Sequence, residues 1–271
     1  MKAAVLGSPV AHSLSPVLHA AGYAELGLTD WSYGRYELQA DDLARFVAGL
    51  DTDWRGLSLT MPLKEACLEV AGEVSPLARR AGAGNTLVRL DSGEWRADNT
   101  DVSGLLDALR PAWDADWTWA AILGAGATAR SALLALAELD VTRVHVYARN
   151  RQKGHDFLAW AASAAPGVDV SSAPLGHWLA GIEPAVLSTL PGGAADGFVL
   201  PGPRGGLLFD AVYAGWPTPL ARTAAEAGMT VIGGLGLLVH QAARQFALFT
   251  GQAAPLEAMF AAGRAALGVV P

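Results

Sequence analysis

The sequence predicts an α/β protein in which parallel strands alternate with crossover helices. Three observations carry this. Short apolar, β-rich runs recur between alanine- and leucine-rich stretches of helical character. A glycine-rich turn, Gly124-Ala125-Gly126-Ala127-Thr128-Ala129, stands between one such run and a helix. The 271 residues, 52% of them hydrophobic, suffice for one large or two modest cores.

The first strand is Lys2–Gly7, after which Ser15-Pro16 reads as an N-cap with proline at the first helical position. Strands follow at Trp31–Glu37, Gly56–Thr60 and Thr86–Leu90, with Asp41-Asp42 as a second cap and Asp91-Ser92-Gly93 as a hairpin turn into Glu94–Ala97. Helices fill the gaps. A helix from Val102 to Leu109 leads to the polar link Asp114–Thr118. Strand Trp119–Leu123, the glycine-rich turn, a helix through Leu139 and strand Arg143–Ala148 then make one β-turn-α-β unit. Strands at Ala185–Thr189, Leu207–Ala211 and Thr230–Ile232 extend the sheet, and Leu235–Thr250 and Leu256–Leu267 are the last helices.

Nineteen basic against 26 acidic residues leave a net charge of −7, the wrong sign for a partner of nucleic acid or of an anionic membrane. The opening apolar run, Ala3–Leu6, is too short for a signal peptide, and no stretch reaches the ~18 apolar residues of a membrane span. A cytoplasmic location is expected, and the single cysteine, Cys67, reads as a small core residue. His145, His155, His177 and His240 show no metal-ligand spacing, so no metal is expected.

Gly124-x-Gly126-x-x-Ala129 matches the dinucleotide fingerprint in its required context: a tight turn at Gly124, no side chain at Gly126 where a pyrophosphate approaches, and a small Ala129 for packing. The strand 25 residues after Gly124 ends without the acid that selects NAD; Arg149, Asn150, Arg151 and Lys153 stand there instead, which favours the 2′-phosphate of NADP. A solvated basic loop is the plainer reading of that run. Ser13 and Ser15, between a strand end and a helix N-terminus, suit a carboxylate. Lys64 at a strand exit and Asp101 before a helix could exchange a proton with a substrate hydroxyl while a nicotinamide handles the hydride. Spacing alone does not bring that pair together, and a surface lysine and a capping aspartate are the simpler account of each.

Gly7-Ser8-Pro9, His12-Ser13-Leu14-Ser15-Pro16 with His19, Leu59-Thr60-Met61-Pro62-Leu63-Lys64, Gly82-Ala83-Gly84-Asn85-Thr86, Asn99-Thr100-Asp101-x-x-Gly104 and Gly234-Leu235-Gly236-x-Leu238-x-x-Gln241 form an ordered set. With Asp210-Ala211-Val212-Tyr213 and Thr218-Pro219-Leu220, it resembles the motifs of the shikimate dehydrogenase family over nearly the whole chain. The resemblance implies reversible NADPH-dependent reduction of 3-dehydroshikimate to shikimate, on the chorismate route to aromatic amino acids. By motif, Lys64 and Asp101 would be the catalytic pair. Ser13, Ser15, Thr60, Asn85, Tyr213 and Gln241 would bind substrate, with Gly124–Ala129, the Arg149 cluster and Gly234 at the cofactor. It further implies two domains with the active-site cleft between them. Residues 1–101, completed by helices in 238–271, would form a substrate domain with a mostly parallel sheet, and 102–237 a Rossmann-type NADP domain; a monomer or homodimer is expected.

Several positions depart from the family pattern: Ala20, Ser58, Leu237, Ala127 in the cofactor turn, and Ala148-Arg149-Asn150 in the basic run. Two alternatives stay open, a quinate or quinate/shikimate dehydrogenase, often NAD-linked, and a ligand-sensing homologue without catalysis. Paired serines and the missing acid count against the first; intact Lys64 and Asp101 count against the second.

Overall fold

The computed structural model describes residues 1–178, 182–198, 200 and 205–268; positions 269–271, which close the expected segment 238–271, lie outside them. The backbone divides into two compact units, Met1–Asp101 together with Leu238–Pro271, and Val102–Leu237. The first unit is therefore built from both ends of the chain.

That unit holds β1 (Lys2–Gly7), α1 (Ser15–Glu25), β2 (Ser32–Glu37), α2 (Leu43–Ala48), β3 (Trp54–Leu59), α3 (Leu63–Val70), β4 (Glu73–Val74), α4 (Pro76–Ala81), β5 (Thr86–Arg89) and β6 (Trp95–Asp98). Its sheet runs β2-β1-β3-β5-β6-β4. β1 is parallel to β2 and β3, β4 is parallel to β6, and β5 is antiparallel to β3 and β6. The apolar sequences of β1 and β3 are buried almost throughout, as central strands covered on both faces require, whereas β2 is a largely exposed edge. Leu6, Leu57, Leu63 and Leu87 form part of one core cluster.

Helix α5 (Asp101–Leu109) begins with the last residue of that segment and continues into the second unit. There β7 (Trp119–Leu123), α6 (Ala127–Ala137), β8 (Arg143–Ala148), α7 (Arg151–Ala164), β9 (Asp169–Pro174), β10 (Ala185–Ser188), β11 (Leu207–Asp210), α8 (Pro219–Glu226) and β12 (Thr230–Gly233) follow. The sheet is parallel throughout, in the order β12-β11-β10-β7-β8-β9. This is the doubly wound Rossmann order, and the direction of winding reverses between β7 and β10. Leu123, Val186, Leu208 and Leu220 belong to its core.

The chain then enters α9 (Gly234–Thr250) and α10 (Leu256–Ala266). Helix α9 seals the first unit: a Cβ on Gly22 would lie 2.7 Å from the Phe246 ring and one on Gly56 2.0 Å from the Phe249 ring, so both aromatic rings lie flush against bare backbone.

Two local expectations shift. Ser15 is the first residue of α1 rather than its cap, because its hydroxyl is engaged by Ser13 and Leu14 precedes the helix without a side-chain cap bond. Asp41-Asp42 lies in a short 3₁₀ turn, and the Asp42 carboxylate takes a hydrogen bond from Arg45 instead of capping α2.

Candidate active site

In the first unit, Lys64, Asn85, Asp101 and Gln241 converge from separate segments. Lys64 stands one residue into α3, whose start is tied to the end of β3 by the Leu63 N–H donating to the Thr60 carbonyl at 2.8 Å. Its Nζ lies 2.6 Å from Asp101 Oδ2, with side-chain exposures of 17% and 6%. Asp101 Oδ1 accepts from Asn85 Nδ2 at 2.8 Å, and the same nitrogen donates to Gln241 Oε1 at 2.9 Å. Asn85 Oδ1 accepts from the Thr86 hydroxyl at 2.9 Å, the Thr100 N–H at 2.8 Å and the Thr100 hydroxyl at 3.1 Å.

These bonds fix the Asn85 amide. Flipping it would set N–H against the Thr100 N–H and oxygen against the Asp101 carboxylate. Gln241 is oriented in turn, since its oxygen faces Asn85 and its NH₂ is the end able to donate to a ligand. The Asp101 turn is stitched in place by Asn99, which accepts from the Asp101 N–H at 3.0 Å and donates to the Ala83 carbonyl at 2.9 Å. Cys67 packs beneath, its thiol directed at the Lys64 and Gly84 carbonyls; burial pushes it up to about 12, so it is an inert core residue.

The Ser13 hydroxyl donates to Ser15 Oγ at 3.2 Å and accepts from the Ser15 N–H at 3.3 Å, pairing the two side chains. A guanidinium N–H of Arg35, on β2, donates to the Ser13 carbonyl at 2.8 Å and tethers the loop. Thr60 packs on the bare backbone at the end of β1, where a Cβ on Gly7 would lie 2.3 Å from Thr60 Cγ2. His19 is fully buried, stacked 4.1 Å from the Tyr33 ring with no partner for either nitrogen; burial pushes it down to about 3, so it is a neutral packing residue.

In the second unit the fingerprint sits at the topological switch point. Gly124 follows β7 with φ +113°, and a Cβ there would meet Thr189 Oγ1, from the end of β10, at 2.4 Å. Among the described residues nothing lies within 4 Å of the position a Gly126 Cβ would take, at the cap of α6, while Ala129 is fully buried inside that helix. The crevice beyond the strand ends is where such sheets bind nucleotides. Arg149, Asn150, Arg151 and Lys153 are exposed after β8, and Asn150 caps α7 by accepting from the Lys153 N–H at 3.1 Å. Tyr213 lies half-buried beyond β11. Gly234 lets the chain pass close to that segment, since its Cβ would fall 2.0 Å from the Ala211 carbonyl oxygen. Asp210 accepts from the Thr218 hydroxyl at 2.8 Å, and burial raises its carboxyl above the ordinary range.

Thr100 and Thr86 carry no residue-type signal of their own, although both lie inside the motifs given above, and Thr189 has no motif at all. Gln245 is likewise unmarked by residue type. That residue is one helical turn beyond Gln241 on α9, and this spacing was the available signal. Among the described residues no cluster of three or more His, Cys, Asp or Glu could hold a metal ion, and no helix is long and apolar enough to cross a membrane.

Residues 5–87 match the family model for the shikimate dehydrogenase substrate binding domain, and residues 234–262 that for the shikimate 5'-dehydrogenase C-terminal domain. The chain is 36% identical to shikimate dehydrogenase (NADP(+)) of Synechococcus sp. (strain JA-3-3Ab), over 98% of this chain and 94% of that protein. It is 38% identical to the protein of that name from Halorubrum lacusprofundi, over 97% and 98%. Among solved structures, shikimate dehydrogenase of Mycobacterium tuberculosis superposes with a TM-score of 0.85 at 42% identity, covering 97% of this chain and 99% of that one. The Thermus thermophilus enzyme in complex with NADP(H) and shikimate gives 0.86 at 35%, covering 98% and 100%.

Proposed function

The chain belongs to the shikimate dehydrogenase family, and from that membership we propose which of its residues carry out the reversible NADPH-dependent reduction of 3-dehydroshikimate to shikimate. This oxidoreductase activity on a secondary alcohol, a step toward aromatic amino acids, is the function of the chain. We assign substrate binding to residues 1–101 with 238–271 and NADP binding to residues 102–237.

The bonded pair Lys64–Asp101 is the observation that carries the assignment. When bound, NADPH supplies the hydride that reduces the C3 carbonyl carbon. Reduction leaves negative charge on the carbonyl oxygen, and the Lys64 ammonium stabilises that charge and gives the oxygen its proton from Nζ. Asp101 Oδ2 holds the ammonium. Both amide hydrogens of Asn85 are already engaged, so its part in substrate binding is to align Asp101 and Gln241. Gln241 and Thr60 complete the hydroxyl contacts. Ser13 and Ser15 bind the carboxylate, and Tyr213 is assigned to substrate binding by its motif.

The second unit fits NADP. Open space in front of Gly126 and the positive end of α6 suit a pyrophosphate, and the exposed Arg149, Arg151 and Lys153 suit a 2′-phosphate. A cytoplasmic site of action is part of this reading, supported by one buried, unpaired cysteine.

The test is the rise of nicotinamide absorbance with shikimate or quinate and each oxidised cofactor. Shikimate with NADP should turn over fastest. Lys64→Ala should lower kcat at least ~100-fold with little change in shikimate KM, an interaction made mainly in the transition state. Retention of more than about a tenth of kcat refutes the role given to Lys64.

A further inference from the structure

Behind Asn85, away from Lys64, lies a second polar layer that no motif marks. Gln245 is fully buried on α9. Its amide nitrogen donates to the Asn85 carbonyl at 3.0 Å and to Thr86 Oγ1 at 3.0 Å. Its oxygen accepts from the Ser58 hydroxyl at 2.7 Å, and Ser58 Oγ accepts from the Tyr33 phenol at 2.6 Å. The Tyr33 ring is itself clamped by His19.

The Gln245 amide sets the direction of this row. Gln245 Oε1 can only accept, so Ser58 must donate to it, and Ser58 Oγ is then left to accept from Tyr33. Gln245 Nε2 can only donate, so Thr86 accepts there and spends its own hydrogen on Asn85 Oδ1. The polarity runs one way from Tyr33 through Ser58, Gln245, Thr86 and Asn85 to the Asp101 carboxylate. Gln241 and Gln245, one turn apart, grip Asn85 at its side-chain nitrogen and at its backbone carbonyl.

We propose that Gln245, oriented by Tyr33 and Ser58, is a positioning residue for the reaction: it holds Asn85 from behind so that Asn85 presents Asp101 and Gln241 to the substrate. The proposal rests on the assignment of Asn85, Asp101 and Gln241 to the substrate site. It accounts for Ser58, one of the departures from the family pattern, as the hydroxyl that a buried glutamine needs. Gln245 touches no reacting atom and acts through Asn85.

Gln245→Met keeps the volume and removes both ends of the amide. It should lower kcat about tenfold and raise shikimate KM several-fold. A Val47→Ala control, a core truncation on α2, should lower thermal stability by a similar amount while leaving both constants within twofold. Ser58→Ala, which leaves Gln245 in place, should give the same pattern in a smaller step and serves where Gln245→Met fails to fold. If the folded variants match the control in kcat and KM, Gln245 is structural only and the proposal is overturned. Asn85→Ala separates the two levels. Normal shikimate kinetics in Asn85→Ala would overturn the site assignment itself; impaired kinetics there with normal Gln245→Met and Ser58→Ala would overturn this inference alone.

Discussion

Asp101→Asn replaces one oxygen of a buried carboxylate with an NH₂ group. Asp101 receives a donor at each oxygen, Asn85 Nδ2 at 2.8 Å and Lys64 Nζ at 2.6 Å. An asparagine can offer an oxygen to only one of them. Turned toward Lys64, it sets NH₂ against the NH₂ of Asn85, which cannot flip because three donors hold its oxygen. Turned the other way, it sets NH₂ against an ammonium. Losing one charge-assisted bond costs about 1.5–3 kcal/mol, and a buried donor left without an acceptor adds about 1–3 kcal/mol. The lower ends of these ranges sum to about 2.5 kcal/mol, or roughly 60-fold in kcat at ~1.4 kcal/mol per tenfold. Initial rates of NADP reduction by shikimate, with thermal melting in parallel, measure both consequences. The double variant with Lys64→Ala should lose far less than the product of the single losses, because the two side chains act as one unit. An Asp101→Asn enzyme with more than about a tenth of wild-type kcat, or multiplicative losses in the double variant, would refute this account.

Arg149→Ala should raise KM for NADP tenfold or more, from a lost bond of about 1.5–3 kcal/mol, and leave NAD kinetics nearly unchanged; equal losses with both cofactors would remove Arg149 from the 2′-phosphate. Ser13→Ala and Ser15→Ala should each raise shikimate KM with cofactor Kd unchanged, and Ser15→Ala has no helix cap to lose. Gly126→Ala should melt like wild type, as none of the described residues stands within 4 Å of the new methyl group, yet bind NADP more weakly. Gly124→Ala, by contrast, should destabilise the second unit through its positive φ and its clash with Thr189. His19 stays neutral in the fold down to about pH 3, whereas the unfolded chain takes up its proton near pH 6.5. Its contribution is therefore intact above pH 6.5 and should fall by about 1.4 kcal/mol per pH unit below it, a slope that urea titrations at pH 5 and 7.5 should find flattened in His19→Phe.

The second sheet was legible in the sequence because its strands are apolar runs bounded by turns, and the glycine fingerprint fell at the switch point where the winding requires it. β4 escaped notice because two residues carry no periodicity, and β9 because Asp169–Pro174 is only partly buried. Lys64 and Asp101 could be named and paired from the family motifs, but spacing alone gave no contact between them, since that depends on Asn99 and Ala83 holding the turn. Ser15 looked like a cap because Ser-Pro ordinarily begins a helix one residue later; here Ser13 already engages its hydroxyl. Gln245 has only its one-turn spacing from Gln241 to mark it, and a glutamine on a helix reads as solvent-facing until the residues opposite it are known.

The discontinuity of the first unit sets an order of events during synthesis. Residues 102–237 are contiguous and can complete their sheet while the chain is still being extended, but the first unit, begun earlier, lacks α9 and α10 until the final segment emerges. Until then Gly22 and Gly56 have no aromatic cover, and Asn85 has neither glutamine against it. The half of the molecule made first is thus the last to finish, and the nascent chain holds an open apolar surface for the whole interval, the stage at which it is most exposed to aggregation.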